Sequence, residues 1–381
     1  MFPTRAMLPD TTETRQMKRI LAAAIALAAF STAFAGDDIK VSGWVDFYYQ
    51  YDFNKPTVGA DVAGRGYDLT QNNFCLANAI LRVSKGATAK NPYGFTFDFG
   101  TGRNFEVNAG LDNSQAAAVN KNANSPTKMF QQGFLTYAAA DGTTWDFGKF
   151  NTWIGYESVY AVDNANYSIS PLFNYSQPFW HVGMRMTKPV NESTTVGLYV
   201  VNGWNISDDD NGSKTLGFSY SKVQSEKLTT SLNWIGGNET GANNGIGFGA
   251  AGQTNVSMFD FVGTYKVSDK HTLAVNADWA TAKRLDAGAA DGKWSGYSFF
   301  SNHSLSDTRD FGLRYSVIHD GDGLRGLGGS LSSLTATYAI KTAENASLRF
   351  ELRQDQTNFN LFAGDDARKH ITLTVAHTIK F

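Results

Sequence analysis

Segments in which apolar and polar residues alternate recur along most of this chain. In the last of them, residues 370–381, Ile371 and Leu373 fall on one side of an extended strand and Thr372 and Thr374 on the other. Side chains alternate across a strand with a period of two, so this segment predicts a strand with one apolar and one polar face. A β-barrel needs strands of about ten residues with such faces to cross a bilayer. A strand of a soluble sandwich would alternate as well, so one strand alone leaves both classes open.

The lengths of the connections between strands distinguish these two classes. The predicted strands are 39–51, 73–84, 93–101, 129–139, 143–150, 178–188, 194–204, 214–222, 227–237, 255–267, 270–283, 293–304, 307–318, 331–341, 346–355 and 370–381. The gaps between them alternate between long and short, and the short gaps hold turn formers such as Asp141 and Gly142. Bacterial outer-membrane barrels have short periplasmic turns and long external loops. A sandwich or propeller is not expected to alternate long and short connections in this way.

An even set of strands predicts closure of the sheet. In hydrocarbon each unpaired backbone N–H or C=O costs several kcal/mol, so no sheet edge can face lipid. The first strand, 39–51, must therefore pair with the last, 370–381. The predicted fold class is an all-β, closed antiparallel transmembrane β-barrel of about 16 strands, with short periplasmic turns and long external loops. A barrel of this width is too wide for its side chains to fill and leaves an aqueous channel.

The start of the chain has the pattern of an export signal. Two basic residues precede the short apolar run 20–30, and small residues follow at the spacing that a signal peptidase reads, ending at Ala35. The run is too short for a transmembrane helix. We therefore predict a signal peptide over residues 1–35, with 1–16 as a start-site extension, and a single barrel domain over 36–381. Export and the strand pattern together predict the outer membrane of a Gram-negative bacterium.

The composition fits a turn-rich barrel and argues against other classes. The chain has 33 Lys and Arg against 35 Asp and Glu, so it lacks the basic excess of a nucleic-acid-binding protein. A mean hydropathy of -0.29 argues against a helical membrane protein. Its 37 glycines and 13% aromatic residues suit turns and aromatic girdles. Cys75 is the single cysteine, and its apolar neighbours of the same parity, such as Ala77 and Leu81, predict that it faces lipid.

Charged residues on the predicted strands are expected to face the lumen. On the lipid-facing side, such charges would cost about 2–4 kcal/mol each near the midplane. Rings of charge set selectivity in channels, although the same charges could instead pair with each other and brace a wide barrel. The predicted pore-lining and constriction residues are Arg82, Asp98, Arg185, Arg314, Arg349, Glu351, Arg353 and Asp355, together with Glu157 from a long gap.

The gap 151–177 is the leading functional segment. It is long and rich in aromatic residues, asparagine and serine, and it contains Glu157. Such a segment can fold inward and narrow a pore, or it can remain outside and pack over the rim. The sequence leaves both arrangements open.

Short motifs in and after this gap carry a family resemblance. They are Gly155, Glu157, Asn164, Asn166, Ser168, Ser170, Gln177, Pro178, His181, Gly183 and Arg185, then Asn202, Gly203 and Trp204, and finally Glu351, Arg353 and Asp355. At these residues the chain resembles the "putative β-barrel porin 2 (OmpL-like)" family of bacterial outer-membrane proteins. The resemblance covers most of the mature chain and implies a porin-like barrel without specifying a solute. Where the family often has a basic residue between the two serines, this chain has Ile169.

The predicted function is passive diffusion of small hydrophilic solutes, without catalytic residues, cofactor or metal. The expected partners are outer-membrane lipid, lipopolysaccharide and the solutes, not nucleic acid, and a homo-oligomer is left open. The alternative is a non-conducting outer-membrane barrel used for adhesion or envelope structure, which a plugged lumen would favour.

Two other patterns suggest different chemistry. His377, on the apolar face of the last strand, would suit a barrel-embedded phospholipase, but no sequence feature marks its nucleophile. The glycine-rich run 247–252 fits the spacing of a dinucleotide-binding motif but lacks the strand–helix unit around it, so it reads as an external loop.

Overall fold

Sixteen antiparallel strands form one closed barrel in the computed structural model of this chain. The structure describes residues 39–57, 60–88, 90–112, 129–209, 211–240, 253–285, 291–364 and 366–381. The strands are β1 (Ile39–Asp52), β2 (Asn73–Lys85), β3 (Tyr93–Thr101), β4 (Phe130–Ala138), β5 (Thr144–Asn151), β6 (Trp180–Asn191), β7 (Thr194–Val201), β8 (Thr215–Val223), β9 (Leu228–Thr240), β10 (Gln253–Ser268), β11 (His271–Arg284), β12 (Gly292–Ser306), β13 (Arg309–Asp320), β14 (Gly329–Ala343), β15 (Ala346–Thr357) and β16 (Lys369–Lys380). The predicted fold class is confirmed, and each observed strand overlaps its predicted counterpart.

The first and last strands close the sheet. β1 pairs with β16 in antiparallel register, from Trp44 opposite Lys380 to Asp52 opposite Thr372. Every other strand pairs with its two neighbours in sequence. The pairing of the termini was predicted from the cost of an open edge in lipid, and the structure confirms it.

The two faces of the wall differ as the alternation predicts. On β16, Thr372 and Thr374 point inward and are buried, whereas Leu373 and Ile379 point outward and are 39% and 45% exposed. Other outward-facing residues are Phe47, Leu135, Phe147, Leu198, Phe218, Leu232, Phe259, Trp279, Phe299, Leu313, Leu334 and Leu352. The barrel therefore has an apolar outer surface. Its interior combines polar side chains such as Thr372 with buried apolar clusters, one of which contains Trp204, Trp294 and Ile318.

The connections divide the barrel into two ends. Connections such as 192–193, 269–270, 307–308 and 344–345 lie at what we call the short-turn end. The long connections lie at the opposite, long-loop end. The glycine-rich run 247–252 and the predicted signal peptide fall outside the described residues.

A β-bulge on β2 overturns the prediction for Cys75. The register between β1 and β2 shifts between Asp46 and Phe47, so that Ala77 is the extra residue on β2. The shift reverses the parity of the preceding residues, because side-chain direction has a period of two. Cys75 consequently lies opposite Tyr48, and it packs against the inward-facing cluster that contains Tyr48 and Tyr167. The expectation that Cys75 faces lipid is wrong.

Two short α-helices lie between strands in the part of the chain that the structure describes. Helix α1 (Arg103–Gly110) follows β3, and helix α2 (Pro171–Ser176) precedes β6. Ser170 caps α2 by accepting a hydrogen bond from the N–H of Phe173 at 3.0 Å, and Pro171 occupies the first turn, where no N–H donor is required. None of the helices in the described part of the chain is long and apolar enough to cross a membrane.

Candidate constriction site

The connection between β5 and β6, residues 152–179, folds into the barrel, and we call it the inner loop. Its contacts with wall strands include Tyr160 Oη to Asp98 (2.5 Å), Tyr167 Oη to Asp46 (3.2 Å), Gly155 N to Asp260 (3.1 Å) and Leu172 N to Ser316 Oγ (3.3 Å). These partners lie on β3, β1, β10 and β13, on different sides of the lumen. Of the two arrangements that the sequence leaves open, the structure has the inward one.

Two phenols of the inner loop act as donors to wall carboxylates. Burial, together with the neighbouring carboxylates Asp98 and Asp46, raises the pKa of Tyr160 and of Tyr167 well above the ordinary value. Both hydroxyls therefore stay protonated at neutral pH, and each donates a hydrogen bond to its carboxylate. These two bonds fix one side of the inner loop to β1 and β3.

A buried ion pair holds the middle of the inner loop. Arg314, on β13, places Nη1 2.5 Å from Glu157 Oε1 and 2.5 Å from the carbonyl oxygen of Ser168. The carboxylate of Glu157 accepts the N–H of Ser170 at 3.2 Å. The Arg314 and Glu157 side chains are 0% and 4% exposed. Because each charge also binds loop backbone, the pair joins two turns of the inner loop to the wall.

Two charged residues of β15 bind the loop backbone beside this pair. Glu351 accepts the N–H groups of Tyr167 and Ser168 at 2.6 and 3.1 Å. Arg353 donates to the carbonyl oxygen of Ile169 at 2.7 Å and to Ser168 Oγ at 3.0 Å. Charge-assisted hydrogen bonds of this kind are stronger than neutral ones, so β15 supplies much of the attachment of the loop.

Arg349 holds the loop nearer the short-turn end. It donates to the carbonyl oxygen of Ala161 at 2.6 Å and to that of Val162 at 3.5 Å. A cavity of about 460 Å³ lies beside it at this end of the barrel. The charged residues that line the cavity are Asp163, Asp269, Lys270, Asp310, Lys341, Glu344, Arg349 and Lys380. The cavity is thus an aqueous mouth with charges of both signs.

Asp355 joins β15 to the connection between β1 and β2. It accepts hydrogen bonds from Arg353 and from Arg65, and His370 Nε2 lies 2.8 Å from its Oδ2. Burial alone would lower the pKa of Arg65, but the carboxylates of Asp68 and Asp355 outweigh it, so the net pKa is raised and the guanidinium stays charged. Arg65 was not predicted, since it lies in a long gap without strand alternation.

A second anchor, also missed in the sequence, lies on β10 and β11. Asp260 and Asp278 are opposite each other in the register and are fully buried. Asp260 accepts the N–H of Gly155 at 3.1 Å, and Asp278 accepts the side-chain N–H of Gln177 at 2.9 Å. Both ends of the inner loop are therefore attached to the same strand pair, through contacts about a hundred residues apart in the chain.

The predicted charges of the N-terminal half form two separate wall pairs. Arg82 binds Asp98 through contacts of 2.6 and 2.7 Å, and Arg185 lies 2.6 Å from Asp146. The Arg82 and Arg185 side chains are 33% and 25% exposed, in contrast to the buried arginines of β13 and β15. The structure thus brings Glu157, Arg314, Arg349, Glu351, Arg353 and Asp355 together around the inner loop. Asp98 also contacts this loop, through the hydroxyl of Tyr160, whereas Arg82 and Arg185 pair with carboxylates of the wall.

Fold and surface together define the class of protein. A closed, even-numbered barrel with an apolar outer face, buried charged residues inside and an inward loop is the architecture of outer-membrane porins. The chain belongs to the family described as "Putative beta-barrel porin-2, OmpL-like", whose model matches residues 38–381. It is a porin-like channel of the outer membrane, and the short-turn end is accordingly periplasmic and the long-loop end external. The resemblance seen in the sequence is confirmed.

Several solved porins share the fold. OmpT of Vibrio cholerae is 10% identical, with a TM-score of 0.58 over 90% of this chain and 97% of that one. The outer-membrane channel DcaP of Acinetobacter baumannii is 10% identical, with a TM-score of 0.60 over 91% and 98%. An anion-selective porin from Comamonas acidovorans is 10% identical, with a TM-score of 0.59 over 90% and 99%. No curated protein matches the chain in sequence.

Proposed function

We propose that the barrel passes small hydrophilic solutes and ions by passive diffusion through a lumen that the inner loop narrows. The observation that carries this proposal is the attachment of the loop backbone to buried charges of the wall, Arg314, Glu351 and Arg353. A loop held in this way sets the width of the lumen without covalent chemistry. The charged mouth beside Arg349 supports a polar solute rather than an apolar one.

Among the predicted pore-lining residues, we propose different roles for charges that are paired around the inner loop and charges that line the wall or the mouth of the lumen. Arg314, Glu351, Arg353 and Asp355 brace the loop, since their charges are satisfied by buried partners. Arg349 differs because its hydrogen bonds go to carbonyl oxygens and it lines the periplasmic mouth. Together with the wall residues Arg82 and Arg185, it is the best placed to act on ions.

Swelling of liposomes in neutral sugars of increasing size tests passive diffusion directly. Barrels folded into the liposomes should admit the smallest sugars at a rate that falls steeply with solute size. Loosening the loop by Arg314→Gln should raise the size limit. Liposomes that contain folded barrel but admit none of the sugars would contradict the proposal.

The burial of inward-facing side chains favours a second candidate function, that of a non-conducting barrel. Inward-facing side chains such as Ser298, Thr335 and Thr372 are fully buried, so the loop fills much of the lumen at mid-height. A non-conducting barrel that binds a partner through its long external loops would have this feature. A protein that is folded and surface-exposed, yet impermeable to ions in a bilayer, would favour this alternative.

We also propose that residues 1–35 are removed on export and that the mature chain is one domain without enzymatic activity or cofactor. Determination of the N-terminal residue of protein purified from outer membranes tests the cleavage, which should leave Gly36 first. An N-terminus within residues 1–35 would contradict it.

A further inference from the structure

The connection between β13 and β14, residues 321–328, lies at the external end of the barrel, and we call it the external lid. It contains four glycines, Gly321, Gly323, Gly326 and Gly328. The last three have φ values of 68°, 80° and 68°, in the left-handed region that favours glycine. A β-carbon built on Gly321, Gly326 or Gly328 meets no atom within 4 Å. Both ends of the external lid therefore lack packing that would oppose a hinge motion.

Three side chains of the external lid point into the barrel. Leu324, Arg325 and Leu327 are all buried, and the two leucines belong to one apolar cluster. This cluster continues through inward-facing residues of six neighbouring strands, β9 to β14, and includes Ile154 of the inner loop. Apolar side chains therefore fill the space beneath the external lid.

Arg325 fixes the external lid in this position. Its guanidinium carbon lies 5.3 Å from the ring centres of Trp204 and Trp294, within the range of a cation–π interaction. Its Nε donates to the carbonyl oxygen of Tyr175 in the inner loop at 2.5 Å, and its main-chain N–H donates to Asp320 Oδ2 at 2.9 Å. One residue thus joins the external lid to β12, to the connection between β7 and β8 and to the inner loop.

The facing side of the lumen is occupied as well. A second apolar cluster, on the side of β1, β2 and β6, contains Phe105 of α1, Phe179 of the inner loop and the wall residue Trp180. Apolar constrictions gate channels by excluding water, and with it hydrated solutes. A passage on the β9–β14 side therefore requires the external lid to leave its packing.

We propose that the external lid is a gate that closes the β9–β14 side of the lumen, with Arg325 as its latch. Release of Arg325 from the two tryptophan rings and the Tyr175 carbonyl frees the lid to turn about its glycine ends. Leu324 and Leu327 then leave the cluster together, because both lie within two residues of Arg325. The inference rests on the proposed channel, which the gate regulates, but movement of the lid can be measured without any current.

Thiol reactivity at Met258 measures opening of the external lid. Met258 lies on β10, is fully buried and belongs to the cluster beneath the lid. In a Cys75→Ala background, Met258→Cys in the folded mature barrel should react slowly with a small anionic methanethiosulfonate, with mass spectrometry as the readout. Adding Arg325→Gln should accelerate the reaction at least about tenfold, as expected for the loss of desolvated cation–π contacts. Arg325→Lys, which keeps the charge but not the planar guanidinium, should give an intermediate rate.

Two controls separate opening of the external lid from general loosening of the barrel. Arg368→Gln removes the same charge from an exposed position of another external connection and should leave the Met258→Cys rate unchanged. Ala376→Cys, buried on β16 in a different cluster, should react at the same rate with and without Arg325→Gln. Equal Met258→Cys rates with and without Arg325→Gln, or equal acceleration at both reporter cysteines, would overturn the gate.

A tether between the external lid and the wall links its position to current. A β-carbon built on Gly292 of β12 would be 3.0 Å from Asp322 Cβ, so a small shift of the lid brings a cysteine pair into the disulfide range of about 3.5–4.5 Å. Gly292→Cys/Asp322→Cys, also in Cys75→Ala, should conduct only after reduction. Equal current before and after reduction would overturn the gate. Bilayers sealed in both states, with Met258→Cys still accelerated by Arg325→Gln, would contradict the proposed channel but support the movable lid.

Discussion

Arg314 on β13 and Glu157 in the inner loop form a buried ion pair across 157 positions of sequence, with Nη1 2.5 Å from Oε1. The same two side chains bind the Ser168 carbonyl and the Ser170 N–H of the inner loop. The lumen is too wide for the side chains of the wall to fill, and the backbone of the inner loop narrows it. The charges of Arg314 and Glu157 hold that backbone in place. Loop position and barrel stability are consequently coupled through this pair.

Replacement of Arg314 by glutamine should loosen the inner loop. It leaves Glu157 buried without its cation, and the loss of one partner of a buried pair typically costs about 3–5 kcal/mol. We expect a lower denaturant midpoint and a larger, noisier single-channel conductance. Lys227→Gln, which removes one positive charge from an exposed turn, is the matched control and should change neither measurement.

The double variant Arg314→Gln/Glu157→Gln separates pairing from packing. If the pair acts as a unit, the two substitutions together should cost less than the sum of the single ones, because the uncompensated buried charge is removed. Strict additivity in the unfolding free energies, with wild-type conductance in every variant, would show that the pair does not hold the loop.

Neutralisation of Arg349 should change ion preference more than stability. Its guanidinium lines the periplasmic mouth, so Arg349→Gln removes positive charge beside the path of permeating ions. In a salt gradient, the reversal potential should shift toward cation preference. Arg309→Gln, at an exposed position near the same end of β13, is the control and should leave the reversal potential unchanged. No shift in Arg349→Gln would assign this residue to bracing alone.

A disulfide between the inner loop and strand β13 tests where the inner loop lies. A β-carbon built on Gly312 of β13 would be 3.3 Å from the β-carbon of Ala165, near the range of about 3.5–4.5 Å found in disulfides. In a Cys75→Ala background, Ala165→Cys/Gly312→Cys should cross-link in the folded barrel and should conduct equally before and after reduction.

The control for this cross-link is Ala165→Cys/Gly86→Cys, because a side chain at Gly86 meets open space in a distant turn. It should keep two free thiols. Failure of the Gly312 pair to cross-link in folded barrel would place the loop elsewhere. Current that appears only after reduction would mean that the loop must leave the lumen for conduction.

Gly155 is expected to be intolerant of a side chain. Its φ is 92°, a left-handed conformation, and an added β-carbon would lie 2.1 Å from Gln177 Oε1. Gly155→Ala should destabilise the barrel by about 1–3 kcal/mol from strain alone, and further by displacing Gln177 from Asp278. Gly326→Ala, at φ 80° with open space around it, isolates the backbone cost and should have the smaller effect on the unfolding midpoint. Equal effects would show that the Gln177 contact contributes nothing.

The strands could be predicted because their signal is local. Alternation along β16 reports which side chains face lipid, and the cost of an open edge then requires pairing with β1. The same local reasoning fails at Cys75, where a bulge at Ala77 reverses the parity. A bulge arises from the pairing of two strands, so β2 alone carries no sign of it.

The site could be predicted only in part. The loop motif around Glu157 and the charges of β13 and β15 were identified, since charged residues on a membrane-spanning strand must face the lumen. The direct contact between Glu157 and these charges was not predicted, because it joins segments that are far apart in the sequence. Asp260 and Asp278 were missed for a different reason: a lone acid on the polar face of a strand has the same pattern whether it lines water or binds a loop.

Single-channel recording of the purified wild-type barrel in planar bilayers tests the central claim most directly. A lumen narrowed by an attached inner loop should give discrete conductance steps that are smaller than those of Arg314→Gln under the same conditions. Bilayers that stay sealed although the barrel is folded and inserted would contradict the account and favour a closed barrel.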